Sequence, residues 1–287
     1  MNIKKIALEW GKRTYVMGVL NLTPDSFSGD GILQDRDPIQ YALNKAKQFL
    51  KDGADILDIG AESSRPGSKP ISAAVELERL LPILKALRKE NIGGIISIDT
   101  YKSEVARQCL ENGADWINDI WGFKRDTDLA EVVSQYDAPV VLMHNRSKPS
   151  AVKNNDRLGA SYQGSIYSNF MEEIINDLRD SVSFAIRARI SKENIIIDPG
   201  IGFGKTVEQN LALINRLGEI KALGYPILIG PSRKSFLGAI LDLPVEERLE
   251  GTAASIAVGI ARGADIVRVH DVKFMARIVK VADALTR

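Results

Sequence analysis

A single cysteine, Cys109, stands in the 287-residue chain, which excludes an intrachain disulfide and any cysteine-ligated metal cluster. Histidine is scarce too, with two residues and no HExxH pattern, so a structural zinc site is not expected. Charge of one sign is also missing. Lys and Arg number 38 against 37 Asp and Glu, and a net charge of +1 gives nothing to draw nucleic acid or an anionic membrane. Any phosphate site must therefore be local. No apolar run approaches the roughly 20 residues of a membrane helix, and the opening MNIKKIALEWGKR lacks the apolar stretch of a signal peptide. The expectation is a soluble, cytoplasmic chain with no nucleic-acid or membrane partner.

What is present is ordinary globular material: 45% hydrophobic and 26% charged residues, enough apolar side chain for a core. The length suits one α/β barrel of about 250 residues, so a single domain over 1–287 is expected. Cys109, within the helical pattern SEVARQCLENGA, reads as a small buried hydrophobe.

Eight short runs rich in β-branched and aliphatic residues recur: YVMGVLN, DILDIG, GIISID, WINDI, PVVLMH, NIIIDPG, PILIG and DIVRVH. Stretches with helical spacing lie between them, such as DPIQYALNKAKQFLKDGAD and AVELERLLPILKALRKEN. Alternation of strand and helix implies right-handed crossovers and a parallel sheet. KDGADI, ENGADW and ARGADI repeat one helix-ending phrase, with Gly53, Gly113 and Gly263 placed for left-handed C-caps. Eight evenly spaced strands without a second domain favour a closed (β/α)8 TIM barrel over an open doubly wound sheet. Residues Ile3 to Leu8, followed by Gly11 and Thr14, are candidates for a hairpin plugging the barrel bottom. Three longer connections, Thr23 to Pro38, Ser63 to Ser72 and Asn145 to Gly164, all follow strands and so fall on the catalytic face, where such loops act as lids or clamps.

Nearly every strand run stops at a polar side chain: Asn21, Glu62, Asp99, Asn118, His144, Asp198, Lys234 just beyond, and Arg268 with His270. Taken singly, each fits a helix cap or a turn as well as a site. Nine together, including both histidines, imply one pocket at the barrel mouth. The set suits a hard cation shared with a diphosphate and water, magnesium being the natural choice. DPGIGFGKT looks like a phosphate-binding loop but has Pro199 and Lys205 where the two common glycine fingerprints need glycine. Its Gly200, Gly202 and Gly204 are read as letting backbone approach a flat ligand, with Phe203 as an apolar wall; a plain strand-to-helix turn is the alternative.

NLTPDSFSGDG, DIGAESSRPG, SIDTYKSEVA, INDI, DPGIGFGK, GPSRKSFLG and VRVHDV, in this order over Val19 to Val272, resemble the dihydropteroate synthase family. The resemblance implies condensation of para-aminobenzoate with a dihydropterin methyl diphosphate, by departure of diphosphate and attack of the amine. It implies Asn21 as ligand of Mg2+, Arg268 and His270 on the diphosphate, and Asp198 on the pterin's N–H edge with Asp99 and Asn118 nearby. Lys234 would donate to the pterin carbonyl and ring nitrogen. Lys234, Arg268, His270 and Asp99 are thus the catalytic candidates, and Met143 and Phe203 join the substrate-binding set. Phe27, Ser64, Arg65, Pro66 and Ser235 would hold the aminobenzoate.

Ala61 and Ser64 depart from the family's more frequent glycine and threonine. A lost methyl contact is worth about 1 kcal/mol, so a modest change in aminobenzoate and sulfonamide affinity is expected. A methyltetrahydrofolate methyltransferase would share the pterin carboxylate but lack SRPG and SRKS; a noncatalytic pterin-binding paralogue would lose Asn21, Lys234, Arg268 or His270. The resemblance also implies a homodimer through C-terminal helices, although no helix shows a clear exposed apolar stripe in the sequence pattern.

Overall fold

Strands buried on both faces have no wet side on which to place polar groups, and the apolar runs fold accordingly. The structure, a computed structural model, describes residues 8–23, 37–148, 151–155 and 157–287. Strands β1 (Tyr15–Asn21), β2 (Ile56–Gly60), β3 (Ile95–Asp99), β4 (Trp116–Asp119) and β5 (Val140–Met143) come first. A hairpin of β6 (Val152–Lys153) and β7 (Ser161–Tyr162) follows, then β8 (Ile195–Asp198), β9 (Leu228–Ile229) and β10 (Ile266–Val269). The helices are α1 (Pro38–Lys51), α2 (Ala73–Lys89), α3 (Ser103–Glu111), α4 (Leu129–Gln135), α5 (Phe170–Arg187), α6 (Val207–Asn215), α7 (Leu217–Lys221), α8 (Ser235–Leu241), α9 (Leu249–Ala261) and α10 (Val272–Thr286).

Eight strands form one parallel sheet in the order β8-β5-β4-β3-β2-β1-β10-β9. The ends of that sheet meet in one parallel bridge, Ile197 to Ile227, so the (β/α)8 barrel closes through a narrow seam. Local signals set the helix ends. Asp37 caps α1 by accepting the Gln40 N–H at 3.0 Å, ahead of Pro38 in the first turn. Gly53, Gly113 and Gly263 take φ of about +100°, as the repeated phrase requires.

Period-two alternation divides each barrel strand between two environments. One set, with Val16, Leu57, Ile96, Ile117, Val140 and Val267, joins the large core beneath the helices. The other set points inward. Tyr15, Met17, Ile56, Ile95, Trp116, Val141, Ile196, Leu228 and Ile266 form a separate apolar floor, against which Leu8 and Trp10 pack. Of the segment Ile3 to Leu8 expected to form a plugging hairpin, Leu8 alone is described, and residues 1–7 lie outside the described residues. Toward the strand C-termini the inward series turns polar: Asn21 in β1, Asp58 in β2, Ser97 and Asp99 in β3, Asn118 in β4, Asp198 in β8, and Arg268 in β10. This parity puts a polar mouth above an apolar floor.

Cys109 is fully buried in α3, as a small core side chain. On α10, Phe274, Val281 and Leu285 are 52%, 61% and 80% exposed at a spacing that keeps them on one helical face. An exposed apolar strip therefore exists where the sequence pattern alone singles out none. Among the described residues no helix is long and apolar enough to cross a membrane.

Candidate active site

Arg268 is held at the barrel mouth by two carboxylates. Its Nε donates to Asp58 Oδ2 at 2.7 Å and its Nη2 to Asp99 Oδ2 at 2.7 Å. Asp58 is fully buried, and it also accepts from Ser97 Oγ at 2.7 Å and from Asn118 Nδ2 at 3.1 Å. Four strands thus meet on one carboxylate, which fixes the plane of the guanidinium. Burial pushes the Asp99 carboxyl up to about 7, against the opposing pull of Arg268.

His270 follows on the same strand end. Ser232 Oγ accepts the His270 backbone N–H at 3.3 Å and lies 3.0 Å from Nδ1. The serine hydroxyl, able both to accept and to donate, thereby fixes the orientation of the ring at the strand end. Lys234 sits 4.0 Å from the centroid of the Phe203 ring, and burial beside Arg268 lowers its ammonium to about 8. The turn that delivers it is strained: Arg233 adopts φ +56°, an unfavourable region for a side-chain-bearing residue. Three contacts hold it there. Its guanidinium grips Asp271 at 2.9 and 2.5 Å, its N–H donates to Thr252 Oγ1 at 3.1 Å, and its carbonyl accepts from Arg248 Nη1 at 3.0 Å.

Asp198 accepts the Gly200 N–H at 2.7 Å, yet burial still raises its carboxyl to about 6 despite Lys205, Lys234 and Arg268. Lys205 is buried and donates to the carbonyls of Gly200 at 2.8 Å and Phe203 at 3.1 Å, with His144 Nδ1 at 3.1 Å. His144 Nε2 lies 3.0 Å from Asp177 on α5, and burial holds the ring neutral, with its pKa lowered to about 3. The expectation that His144 joins the pocket is corrected: it shares the outward parity of Val140 and Leu142 and faces the helix layer. The glycines are corrected in part as well. Gly200 and Gly204 lie against the His144 carbonyl and the Ser147 backbone, so their lack of side chain serves packing within the protein; Gly202 alone of the three borders the cavity, beneath Lys234.

The cavity at the mouth holds about 170 Å³, an order of magnitude more than the ~10–15 Å³ one water needs, and so has the scale of a ligand site. Asn21, Ser64, Arg65, Pro66, Asp99, Phe203, Lys234, Ser235, Arg268 and His270 border it. Asn118, Met143 and Asp198 are buried and do not border it; Asn118 is bound to Asp58, and Met143 pairs with Asp198 across β5 and β8. Phe27 lies outside the described residues. Glu62 borders the cavity but is held by Lys102 Nζ at 2.5 Å and the Ile71 N–H at 3.1 Å. Ala61 is fully buried, away from the cavity lining.

Sequence reasoning misses Asp58, Lys205, Ser232, Arg233, Tyr162 and Arg248. Asp58 does carry a signal, an acid inside the apolar run ILDIG. Tyr162 and Arg248 carry none, because only the tertiary fold brings them to the mouth. Among the described residues no three His, Cys, Asp or Glu side chains converge to hold a metal. Asn21 offers one amide oxygen on the cavity wall, a donor set that suits a hard cation completed by ligand and water oxygens.

The profile of the pterin binding enzymes matches residues 17–270. The dihydropteroate synthase of Clostridium beijerinckii is 50% identical over 278 residues, 96% of each chain. That of Bacillus subtilis is 45% identical over 285 residues, 99% of this chain and 93% of its own. Among solved structures, dihydropteroate synthase from Clostridium difficile in the presence of pteroic acid superposes with a TM-score of 0.87 at 42% identity, covering 98% of this chain and 100% of the other. The Yersinia pestis enzyme with a sulfonamide drug gives 0.88 at 32% identity, covering 99% and 98%.

Proposed function

The chain belongs to the dihydropteroate synthases, within the pterin binding enzyme family, and from that premise we propose that it joins para-aminobenzoate to a dihydropterin methyl diphosphate, releasing diphosphate. One observation carries the assignment of roles: Lys234, Arg268, His270 and Asp99 border one cavity, and the buried carboxylates Asp58 and Asp198 lie behind its wall, Asp58 holding Arg268. Cations facing the cavity suit an anionic leaving group. Buried carboxylates suit the paired N–H donors of a pterin edge.

Breaking the carbon–oxygen bond sends its electron pair to the diphosphate, whose growing charge is stabilised by Arg268, by Lys234 and by His270. Asp58 and Asp99 hold the arginine in place, so little reorganisation is needed as charge develops. Asp198 accepts from the pterin edge and orients its methylene carbon, while Lys234 donates to the ring. The amine nitrogen then supplies the lone pair for the new carbon–nitrogen bond and loses a proton to the departing diphosphate or to water. No enzyme nucleophile is required. Mg2+ held by Asn21 would supply further charge neutralisation to the diphosphate oxygens.

Ser64, Arg65, Pro66 and Ser235 border the cavity where the aminobenzoate is assigned. Ser64→Thr restores the family's more frequent residue and is expected to change aminobenzoate and sulfonamide affinity by roughly the worth of one methyl, about 1 kcal/mol, in binding titrations. We extend the proposal to a cytoplasmic homodimer in which the apolar strip of α10 meets a second copy; light scattering of the eluted protein gives its mass directly.

The deciding assay follows diphosphate release and dihydropteroate formation from the pterin diphosphate with magnesium, with and without para-aminobenzoate. Amine-dependent product supports the synthase reading. Pterin binding with neither product nor diphosphate would replace it with a noncatalytic pterin-binding role.

A further inference from the structure

The long connection between β5 and α5 takes no part in the chemistry described above, yet it reaches the cavity. Its β6–β7 hairpin pairs Val152 with Tyr162 and Lys153 with Ser161, and the Gln163 N–H donates to the Ala151 carbonyl at 2.9 Å. Two-residue strands are too short to stand alone in water. The hairpin is instead tied down from both sides.

On one side Arg248, only 1% exposed, donates from Nη2 to the Leu158 carbonyl at 2.8 Å. The same guanidinium bonds the carbonyls of Leu243 and Arg233, so the hairpin shares an anchor with the turn that presents Lys234. On the other side the Tyr162 hydroxyl donates to the Ser64 carbonyl at 3.0 Å, and its ring stacks on Phe203 with centroids 6.2 Å apart and planes 28° from parallel. Tyr162 borders the cavity together with Ser64, Arg65, Pro66 and Ser235.

We propose that Tyr162 is a substrate-contacting residue of the amine subsite, and that its bond to Ser64 makes the hairpin and the Ser63 to Ser72 loop close over the aromatic ring as one unit. The inference rests on the synthase reading and deepens it. The polar barrel mouth, with Asp58, Asp99 and Asp198, suits the pterin. That leaves the outer part of the cavity, walled by Phe203, Tyr162 and Pro66, for a flat apolar ring.

Separate KM values for para-aminobenzoate and for the pterin diphosphate test the inference in Tyr162→Ala and Tyr162→Phe. Removing the ring is expected to raise the amine KM about tenfold. Removing only the hydroxyl is expected to raise it about threefold, as loss of one neutral hydrogen bond. The pterin diphosphate KM stays within about twofold in both variants, since Tyr162 stands outside the polar mouth. Equal rises in both KM values, or no rise in either, would overturn the assignment. A wild-type protein that makes no product with any amine would instead remove the synthase reading, so the two failures are distinct.

Discussion

Lys205 has three protons to give and three acceptors to take them: the carbonyls of Gly200 and Phe203, and His144 Nδ1. Only the ammonium form satisfies all three. Burial lowers its pKa to about 7, but the hydrogen-bond count favours the charged state, which sits behind the Asp198 carboxylate and helps keep it ionised. Asp198 titrates near 6, so it is protonated as the pH falls below that value and can no longer accept on both oxygens. Affinity for a pterin without its diphosphate is therefore expected to fall below pH 6, by up to about tenfold per pH unit. In Lys205→Met the inflection moves to higher pH, because the cation that opposes protonation is gone. Titration calorimetry between pH 5 and 8 reads both effects; a flat wild-type curve would show that Asp198 does not carry the pterin edge.

Elements differ in how much of themselves they declare in local sequence. The barrel strands lie inside their apolar runs, with boundaries shifted by one or two residues, because burial on both faces leaves a continuous hydrophobic signature. The β6–β7 hairpin has no such signature: four residues in a polar loop pair only because Arg248 and Ser64 hold them. The glycine turn after β8 is legible as a turn but not in its purpose. Gly200 has φ +71°, and a Cβ there would run into the His144 carbonyl oxygen. Gly200→Ala thus adds a backbone clash to conformational strain and is expected to cost about 3 kcal/mol or more. Gly11 has φ +83° with nothing among the described residues within 4 Å of an added Cβ, so Gly11→Ala bears the strain alone, about 1 kcal/mol. Urea unfolding of the two variants separates these costs. Equal losses would mean that the His144 contact does not constrain the turn.

At the scale of the whole molecule, what escapes sequence reasoning is pairing across the barrel. Arg268 and Asp58 are 210 residues apart and meet because β10 and β2 both flank β1. Both are legible as charges inside apolar strands; that they face each other follows only from barrel closure and strand parity. The seam of that closure has a consequence for catalysis. Asp198 ends β8 and Lys234 follows β9, so the two groups assigned to the pterin stand on either side of the joint made by the single Ile197–Ile227 bridge. A pterin gripped by both acts as a rivet across the slit. Amide exchange at Ile197, whose N–H donates to the Pro226 carbonyl across the seam at 3.0 Å, should slow on pterin binding more than exchange in β2 and β3, whereas uniform slowing would deny the seam any special part. The substrate then becomes a stave of the barrel that consumes it, and each turnover reopens the wall when product leaves.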